Sequence, residues 1–73
     1  MNELECIRTF VKVVEVGNFT EAGRQTNSAK SAVTKRIKQL EDHLELQLFQ
    51  RSTRKLAITE AGTMFYQRCI RIL

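Results

Sequence analysis

Apolar residues recur at helical spacing through the start of the chain. The stripe contains Leu4, Cys6, Ile7, Phe10, Val11, Val13 and Val14. Such spacing predicts an amphipathic helix over about residues 3–16, since positions three and four apart share one helix face. Gly17 follows and is predicted to end this helix in the left-handed conformation.

A second, shorter helical segment comes next and leads into a polar turn. Thr20 is predicted to cap a helix over about residues 21–26, with Phe19 packing its start against the core. Residues 27–29, Asn-Ser-Ala, have the composition of a turn. Within that turn Ser28 is predicted to cap the next helix.

The third helical segment is expected from residue 30 to residue 43 or 44. Its apolar positions are Val33, Ile37, Leu40 and Leu44, all on one face. The outward positions are Lys30, Ser31, Thr34, Lys35 and Lys38. The second and third segments together predict a helix-turn-helix over about residues 19–38.

Two short segments and a last helix complete the pattern. Apolar residues at 46, 48, 56 and 58 alternate with polar or small ones around a basic stretch, which predicts a two-stranded wing at about residues 46–58. Thr59 is predicted to cap a fourth helix, with Met64, Phe65, Cys69 and Ile72 on its apolar stripe. The predicted fold is mainly α: a winged helix-turn-helix with a three-helix core and a closing helix.

Composition indicates the charge of the partner and the cellular compartment. The 73 residues carry 12 Lys and Arg against 8 Asp and Glu, a net charge of +4 that suits a polyanion. Cys6 and Cys69 lie in apolar helical patterns, so we expect buried thiols in a reducing compartment. No segment approaches the roughly 20 apolar residues that span a bilayer, and no signal peptide is expected because the first residues lack a basic start and an apolar run. We therefore expect a soluble cytoplasmic protein without a membrane partner.

The charged residues of the third helix are arranged along it in the order that destabilises a helix. Cations crowd its first two-thirds, whereas Glu41 and Asp42 lie near its end. A helix prefers the opposite arrangement by about 0.3–1 kcal/mol per charge. A helix that presents its N-terminal half to phosphates and base edges would require this order. The pattern therefore favours a protein that reads double-stranded DNA.

The candidate DNA contacts lie on the second helix, the third helix and the wing. They are Thr20, Ser28, Ala29, Lys30, Ser31, Thr34, Lys35, Lys38, Arg51, Arg54 and Lys55. The N-terminal part of the third helix is predicted to touch base edges in the major groove, and the wing cations to touch phosphates or the minor groove. The Thr20 hydroxyl is a further candidate contact to the DNA backbone. For Arg36 and Lys38, a phosphate contact and a solvated charge remain equally open.

The sequence lacks the sets of residues that other classes of function require. There are no paired carboxylates, nucleophile triad, phosphate-binding glycine loop or metal-ligand cluster around the single His43, so neither an enzyme nor a cofactor is predicted. RNA binding is disfavoured because the four phenylalanines are spaced as core anchors, not as a stacking platform. The alternative is a winged helix that binds only proteins, and the basic third helix and wing argue against it.

Ordered motifs through the chain resemble a known family. They are residues 10 and 13–14, 17–22 (Gly-Asn-Phe-Thr-Glu-Ala), 31–34 (Ser-Ala-Val-Thr), 37–41 (Ile-Lys-Gln-Leu-Glu), 48–51 (Leu-Phe-Gln-Arg), 53–54 and 56–62 (Leu-Ala-Ile-Thr-Glu-Ala-Gly). In this order and spacing they are similar to the N-terminal DNA-binding domain of LysR-type transcriptional regulators. The resemblance covers essentially the whole chain and implies a bacterial transcription factor.

The resemblance also implies a domain division and further partners. Residues 1–59 would form the winged helix-turn-helix domain, and residues 60–73 the truncated start of a linker helix. In the family that helix pairs two copies into a homodimer. An effector ligand would bind a sensing domain beyond Leu73, and the helical pattern that ends there without a breaker is expected of a fragment.

Four residues depart from the family pattern around the helix-turn-helix. Gly23 replaces a usual Ala and is expected to weaken the second helix by up to about 1 kcal/mol. Thr26 replaces a buried Leu, and Ala29 replaces a capping Ser or Thr. Glu45 stands where Gly is common, which would strain the backbone if its φ is positive.

Overall fold

Helices dominate the computed structural model, which describes residues 2–50 and 56–72. Within those ranges lie α1 (Glu3–Val16), α2 (Phe19–Gln25), α3 (Lys30–Leu44), β1 (Phe49–Gln50), β2 (Ala57–Ile58) and α4 (Glu60–Ile72). The strands are antiparallel, with Phe49 opposite Ile58 and Gln50 opposite Ala57. This arrangement confirms the predicted winged helix-turn-helix. A membrane crossing would need a longer, more apolar helix than any in these two ranges.

Aromatic rings connect the helices to the sheet at the centre of the core. Phe10 of α1 is fully buried, and its ring centroid lies 5.5 Å from that of Phe49 and 5.4 Å from that of Phe65. Phe19 at the start of α2 meets Phe49 edge-on at 5.8 Å. The phenylalanines are therefore core anchors, as the sequence predicted.

The buried faces of α1 and α4 are rotated from the predicted stripes. On α1, Cys6, Phe10 and Val13 are buried, whereas Leu4 is 48% exposed. On α4, Met64 is 55% exposed. A helix turns by about 100° per residue, so Leu4 lies on the side opposite Cys6 although its spacing to other apolar residues is helical.

The start of α2 differs from the prediction. The N-cap is Asn18, not Thr20, and the helix begins at Phe19 and ends at Gln25. The extended backbone of Asn18 lets its Oδ1 accept a hydrogen bond from the Glu21 N–H at 2.6 Å. Asn followed by Glu three residues later is itself an N-terminal signal, and it identifies the correct cap in the sequence.

The first strand also begins later than predicted, and a side chain of α3 bonds to the backbone at its start. Leu46 is exposed and Leu48 is buried, and both precede β1. Glu41 of α3 is buried, and its Oε2 accepts hydrogen bonds from the Leu48 N–H at 2.8 Å and the Phe49 N–H at 3.3 Å. The carboxylate thus joins the end of α3 to the start of the wing.

Thr59 closes the wing and starts α4, as predicted. Its Oγ1 donates to the Gln47 carbonyl at 2.6 Å and accepts from the Gly62 N–H at 2.9 Å. Gly62 is buried directly beneath the Leu48 carbonyl oxygen, which a Cβ at this position would overlap. The same Cβ would lie 2.8 Å from Cγ1 of Ile58.

We expect Gly62→Ala to lower the free energy of unfolding by about 1–3 kcal/mol, the usual cost of overpacking. The added methyl group meets a backbone carbonyl that cannot rotate away. Chemical denaturation measures the change, with Gln67→Ala at an exposed position of α4 as the control. Ala in place of Gly in a helix interior otherwise gains up to about 1 kcal/mol, so a stabilised Gly62→Ala variant would contradict the contact.

Candidate nucleic-acid interface

A cationic strip lies on α3 opposite the face that packs into the core. Val33, Ile37 and Leu40 are buried. The cationic strip consists of Lys30, Ser31, Thr34, Lys35 and Lys38, of which Thr34 is half-buried and the others are exposed. No acidic residue lies in the first turn of the helix. The N-terminal half of α3 therefore presents positive charge and hydroxyl groups to solvent, as the sequence predicted.

Two members of the cationic strip have partners on α3 itself. The Thr34 hydroxyl donates to the Lys30 carbonyl at 3.0 Å, so the lone pairs of Oγ1 remain to accept a bond from outside. The Lys38 ammonium lies 3.4 Å from Oδ1 of Asp42, and both side chains are about two-thirds exposed. Such an exposed pair is weak and is easily exchanged for a phosphate.

The turn before α3 does not have the predicted cap. The N-cap is the exposed Ala29, which has no side-chain acceptor, and Asn27 has a positive φ of 56°. Ser28, the predicted cap, is half-buried, and its Oγ donates to the Thr26 carbonyl at 3.3 Å. Because Ser28 bonds back into the turn, its hydroxyl does not reach the first N–H groups of α3.

Arg36 has partners within the domain, so it is not a solvated charge, which was one of the two roles that the sequence left open. Its Nη2 lies 2.8 Å from Oε1 of Glu5 on α1, and its Nη1 donates to Oγ of Ser28 at 3.1 Å. The Arg36 side chain is 25% exposed. It is therefore an internal tie between α1 and the turn. Local patterns could not reveal it, because Glu5 and Arg36 lie on different helices.

Thr20 occupies the exposed first turn of α2. Beside it the Glu21 carboxylate accepts bonds from Arg24 Nε at 3.0 Å and Arg24 Nη2 at 2.7 Å. The hydrogen bonds from Arg24, and then from Gln25, lower the pKa of Glu21. Arg24 thus offsets a negative charge next to the hydroxyl that is predicted to contact the DNA backbone.

The three wing cations among the predicted contacts, Arg51, Arg54 and Lys55, lie outside the described residues. The strands that lead into and out of that segment are described. Gln50 pairs with Ala57, so the chain on the two sides of residues 51–55 is brought together at the end of the sheet. The contacts of the wing with DNA stay a prediction.

The arrangement of helices, turn and sheet matches that of known proteins. Residues 4–63 match the family model described as bacterial regulatory helix-turn-helix protein, lysR family. The chain belongs to the LysR family. This match spans α1, the helix-turn-helix, the wing and the start of α4.

Two LysR-family relatives and one solved structure show how far the similarity extends. An uncharacterized HTH-type transcriptional regulator of Haemophilus influenzae is 48% identical over 73 residues, which is 100% of this chain and 25% of the relative. The HTH-type transcriptional activator AaeR of Escherichia coli is 44% identical over 73 residues, 100% of this chain and 24% of AaeR. The chain thus spans about a quarter of the length of these curated relatives. The BenM_DBD/catB site 1 DNA complex has a TM-score of 0.90 and 36% identity, and the match covers 94% of this chain and 74% of BenM_DBD.

The structure shows how this chain accommodates its departures from the LysR-family pattern. A Cβ on Gly23 would lie 2.6 Å from the Ser28 carbonyl oxygen, so the glycine allows the turn to pack closely against α2. The Thr26 hydroxyl donates to the Ala22 carbonyl at 2.8 Å. Glu45 ends α3 with a φ of 58°, the left-handed conformation in which a non-glycine residue is strained.

The two cysteines of this LysR-family chain belong to the core. Cys6 and Cys69 are free and buried, and burial is the main cause that raises the pKa of each thiol. A thiol with a raised pKa is a poor nucleophile and a poor metal ligand near neutral pH. Across residues 2–50 and 56–72, His, Cys, Asp and Glu side chains form no group of three that could hold a metal ion.

Proposed function

We propose that this chain binds double-stranded DNA sequence-specifically, as the DNA-binding domain of a bacterial LysR-family transcriptional regulator. The observation that carries the proposal is the cationic strip, since it lies on the N-terminal half of α3 and opposite the core. A recognition helix contacts base edges through this part when it lies in the major groove.

The comparisons support the same proposal. BenM_DBD shares the fold of this chain, and its structure is that of a complex with catB site 1 DNA. AaeR carries the name of a transcriptional activator. The net charge of +4 favours association with the phosphate backbone. A regulator of this kind acts by binding, without catalysis, and works in the bacterial cytoplasm, where its DNA lies.

Recognition would combine two kinds of contact. Arg51, Arg54 and Lys55 of the wing, together with Thr20 and Lys38, would hold phosphates and supply affinity without sequence information. Base edges would be read from α3 and its N-cap. The proposed reading set is Ser28, Ala29, Lys30, Ser31, Thr34 and Lys35.

The chemistry of the reading set indicates which bases it would select. A Lys ammonium donates to the acceptors of guanine. Thr34 already donates its hydroxyl proton to Lys30, so Oγ1 would accept from the amino group of adenine or cytosine. The half-buried Ser28 would act at the rim of this set, because its hydroxyl is engaged within the turn.

We also propose that residues 1–59 form the DNA-binding unit and that α4 begins a linker helix. Ile70 and Ile72 of α4 are 49% and 71% exposed. Exposed apolar residues on a helix are expected where a second copy packs, so the full-length regulator would be a homodimer through this helix. An effector ligand would bind a part of the regulator outside this chain.

Selection from a pool of random duplexes tests the proposed function. The chain is mixed with the pool at low salt, the retained fraction is sequenced, and a recurring motif is expected. If no duplex is retained even at low salt, DNA binding by this chain is wrong, and the alternative of a winged helix that binds only proteins is favoured. Retention without a motif would contradict sequence-specific reading.

We expect variants of the reading helix and of the wing to fail differently. Lys30→Ala or Thr34→Ala should weaken the selected duplex by about 1–3 kcal/mol and leave random duplexes nearly unchanged. Arg51→Ala or Arg54→Ala should weaken both duplexes and lower the salt slope by roughly 0.9 per lost phosphate contact. Titration at two salt concentrations measures both quantities. Wing variants that change the preferred motif would contradict this division.

A further inference from the structure

One guanidinium joins three parts of the helix-turn-helix region. Arg36 lies on α3 directly after Lys35, the last residue of the reading set, and contacts Glu5 on α1 at 2.8 Å. It also donates to Ser28 in the turn at 3.1 Å. Glu5 is itself near the fixed start of α1, since its N–H donates to Oδ1 of Asn2 at 3.0 Å. The turn is thus connected to the body of the domain through Arg36.

The turn bonds to α2 through the Ser28 N–H, which donates to the Gly23 carbonyl at 2.7 Å, but it has no side-chain cap for the helix that follows. Ala29 provides no side-chain cap for α3. Asn27 has a positive φ of 56°, a conformation that costs free energy for a residue other than glycine. The hydrogen bond from Arg36 reaches Ser28, the residue immediately before the N-cap. It therefore acts at the point that sets the direction in which α3 begins.

We propose that Arg36 is a positioning residue for DNA recognition. Glu5 holds its guanidinium, and the guanidinium holds Ser28, so that Ala29 and Lys30 enter the major groove in one orientation. This inference rests on the proposed function, and it concerns a residue that contacts the turn and not the DNA. A change in the orientation of α3 should affect sequence preference most, because contacts to base edges depend on that orientation more than contacts to phosphates do.

The geometry distinguishes this role from a phosphate contact. Arg36 lies on the flank of α3 towards α1, since it follows Val33 by three residues and precedes Ile37, both of which are buried. Both of its terminal nitrogens are engaged within the domain. A phosphate contact would require the guanidinium to leave Glu5 and Ser28.

Two variants weaken the tie without removing a positive charge. Glu5→Gln removes the negative charge that holds Arg36 and leaves only a neutral amide oxygen to accept from the guanidinium. Arg36→Lys keeps the cation but replaces the planar fork by a single ammonium, which cannot bond Glu5 and Ser28 in the same way. The control is Glu15→Gln on the same helix. Oε1 of Glu15 lies 3.5 Å from Nζ of Lys12. The Glu15 side chain is 47% exposed, and the Glu5 side chain is 48% exposed. The control therefore removes the same charge from an equally exposed position.

The affinity of each variant is measured for the selected duplex and for a random duplex at two salt concentrations. Glu5→Gln and Arg36→Lys should each weaken the selected duplex by about tenfold while the random duplex and the salt slope stay close to wild type. Glu15→Gln should leave the ratio of the two affinities unchanged. Thermal denaturation should show all three variants folded, because a partly exposed ion pair contributes little to global stability.

Other outcomes would overturn the proposal. If Arg36→Lys binds as wild type and Arg36→Met lowers the salt slope by about 0.9, Arg36 contacts a phosphate. If Glu5→Gln behaves as Glu15→Gln does, the tie does not orient α3. If wild type selects no duplex, the proposed function fails. In that case the tie is tested in the free protein by the amide chemical shifts of residues 28–30. If Glu5→Gln changes these chemical shifts and Glu15→Gln does not, the tie is supported. If Glu5→Gln leaves them unchanged, the tie is refuted.

Discussion

Ile37→Ala is expected to lower the free energy of unfolding by about 2–5 kcal/mol, the cost of deleting a large buried aliphatic side chain. Ile37 is 0% exposed and lies at the centre of the buried face of α3. The remaining cavity would lie beside Val33 and Leu40 on the buried face of α3, in a close-packed core that cannot fully collapse around it. For a domain of 73 residues this is a large part of the total stability.

The matched control is Lys35→Ala on the opposite, exposed side of α3. Its effect should stay within about 0.5 kcal/mol, as for most exposed positions. Urea denaturation of the two variants gives both values. A larger loss from Lys35→Ala than from Ile37→Ala would mean that the buried and exposed faces of α3 are assigned the wrong way round.

Glu41→Ala is expected to cost about 2–4 kcal/mol, because it leaves buried backbone donors without their acceptor. The Glu41 side chain is 5% exposed, and its Oε2 accepts from both Leu48 and Phe49. These bonds connect the end of α3 to β1. Their loss should therefore also increase amide exchange at Leu48 and Phe49 more than at residues of α1.

Two controls separate this bond from a general charge effect. Glu41→Gln keeps a carbonyl oxygen of the same reach, so it should lose clearly less stability than Glu41→Ala. Asp42→Ala removes a neighbouring carboxylate that is exposed, and it should cost under about 1 kcal/mol. Equal losses from Glu41→Ala and Asp42→Ala would show that the buried bonds do not stabilise the wing.

The elements that the sequence predicted well are those with a local signal. The bounds of α3 follow from one apolar face repeated over four turns, and Gly17 ends α1 with a φ of 86°. Thr59 caps α4 as expected, because Ser and Thr hydroxyls favour that position wherever a helix follows. The cationic strip was also predictable, since residues three and four apart on one helix must share a surface.

The errors arose where two local signals compete or where a partner is remote. Asn18 and Thr20 are both good N-caps, and the packing of Phe19 against Phe49 accompanies the earlier start of α2. Ser28 was predicted as a cap from its residue type, yet the neighbouring Arg36 and Thr26 carbonyl take its hydroxyl. Leu4 fits the spacing of the α1 stripe, but which side of α1 is buried depends on how α1 packs in the core.

By itself, the sequence determined the helices, the order of elements and the cationic face of α3, because periodicity and capping act within a few residues. Only the tertiary structure decided the roles of Glu41, Arg36 and Gly62. Their partners lie outside their own helices: the backbone N–H groups of Leu48 and Phe49, the carboxylate of Glu5 and the carbonyl of Leu48. A hydrogen bond or a close approach between such groups depends on the packing of whole helices, and no local pattern of residues records it.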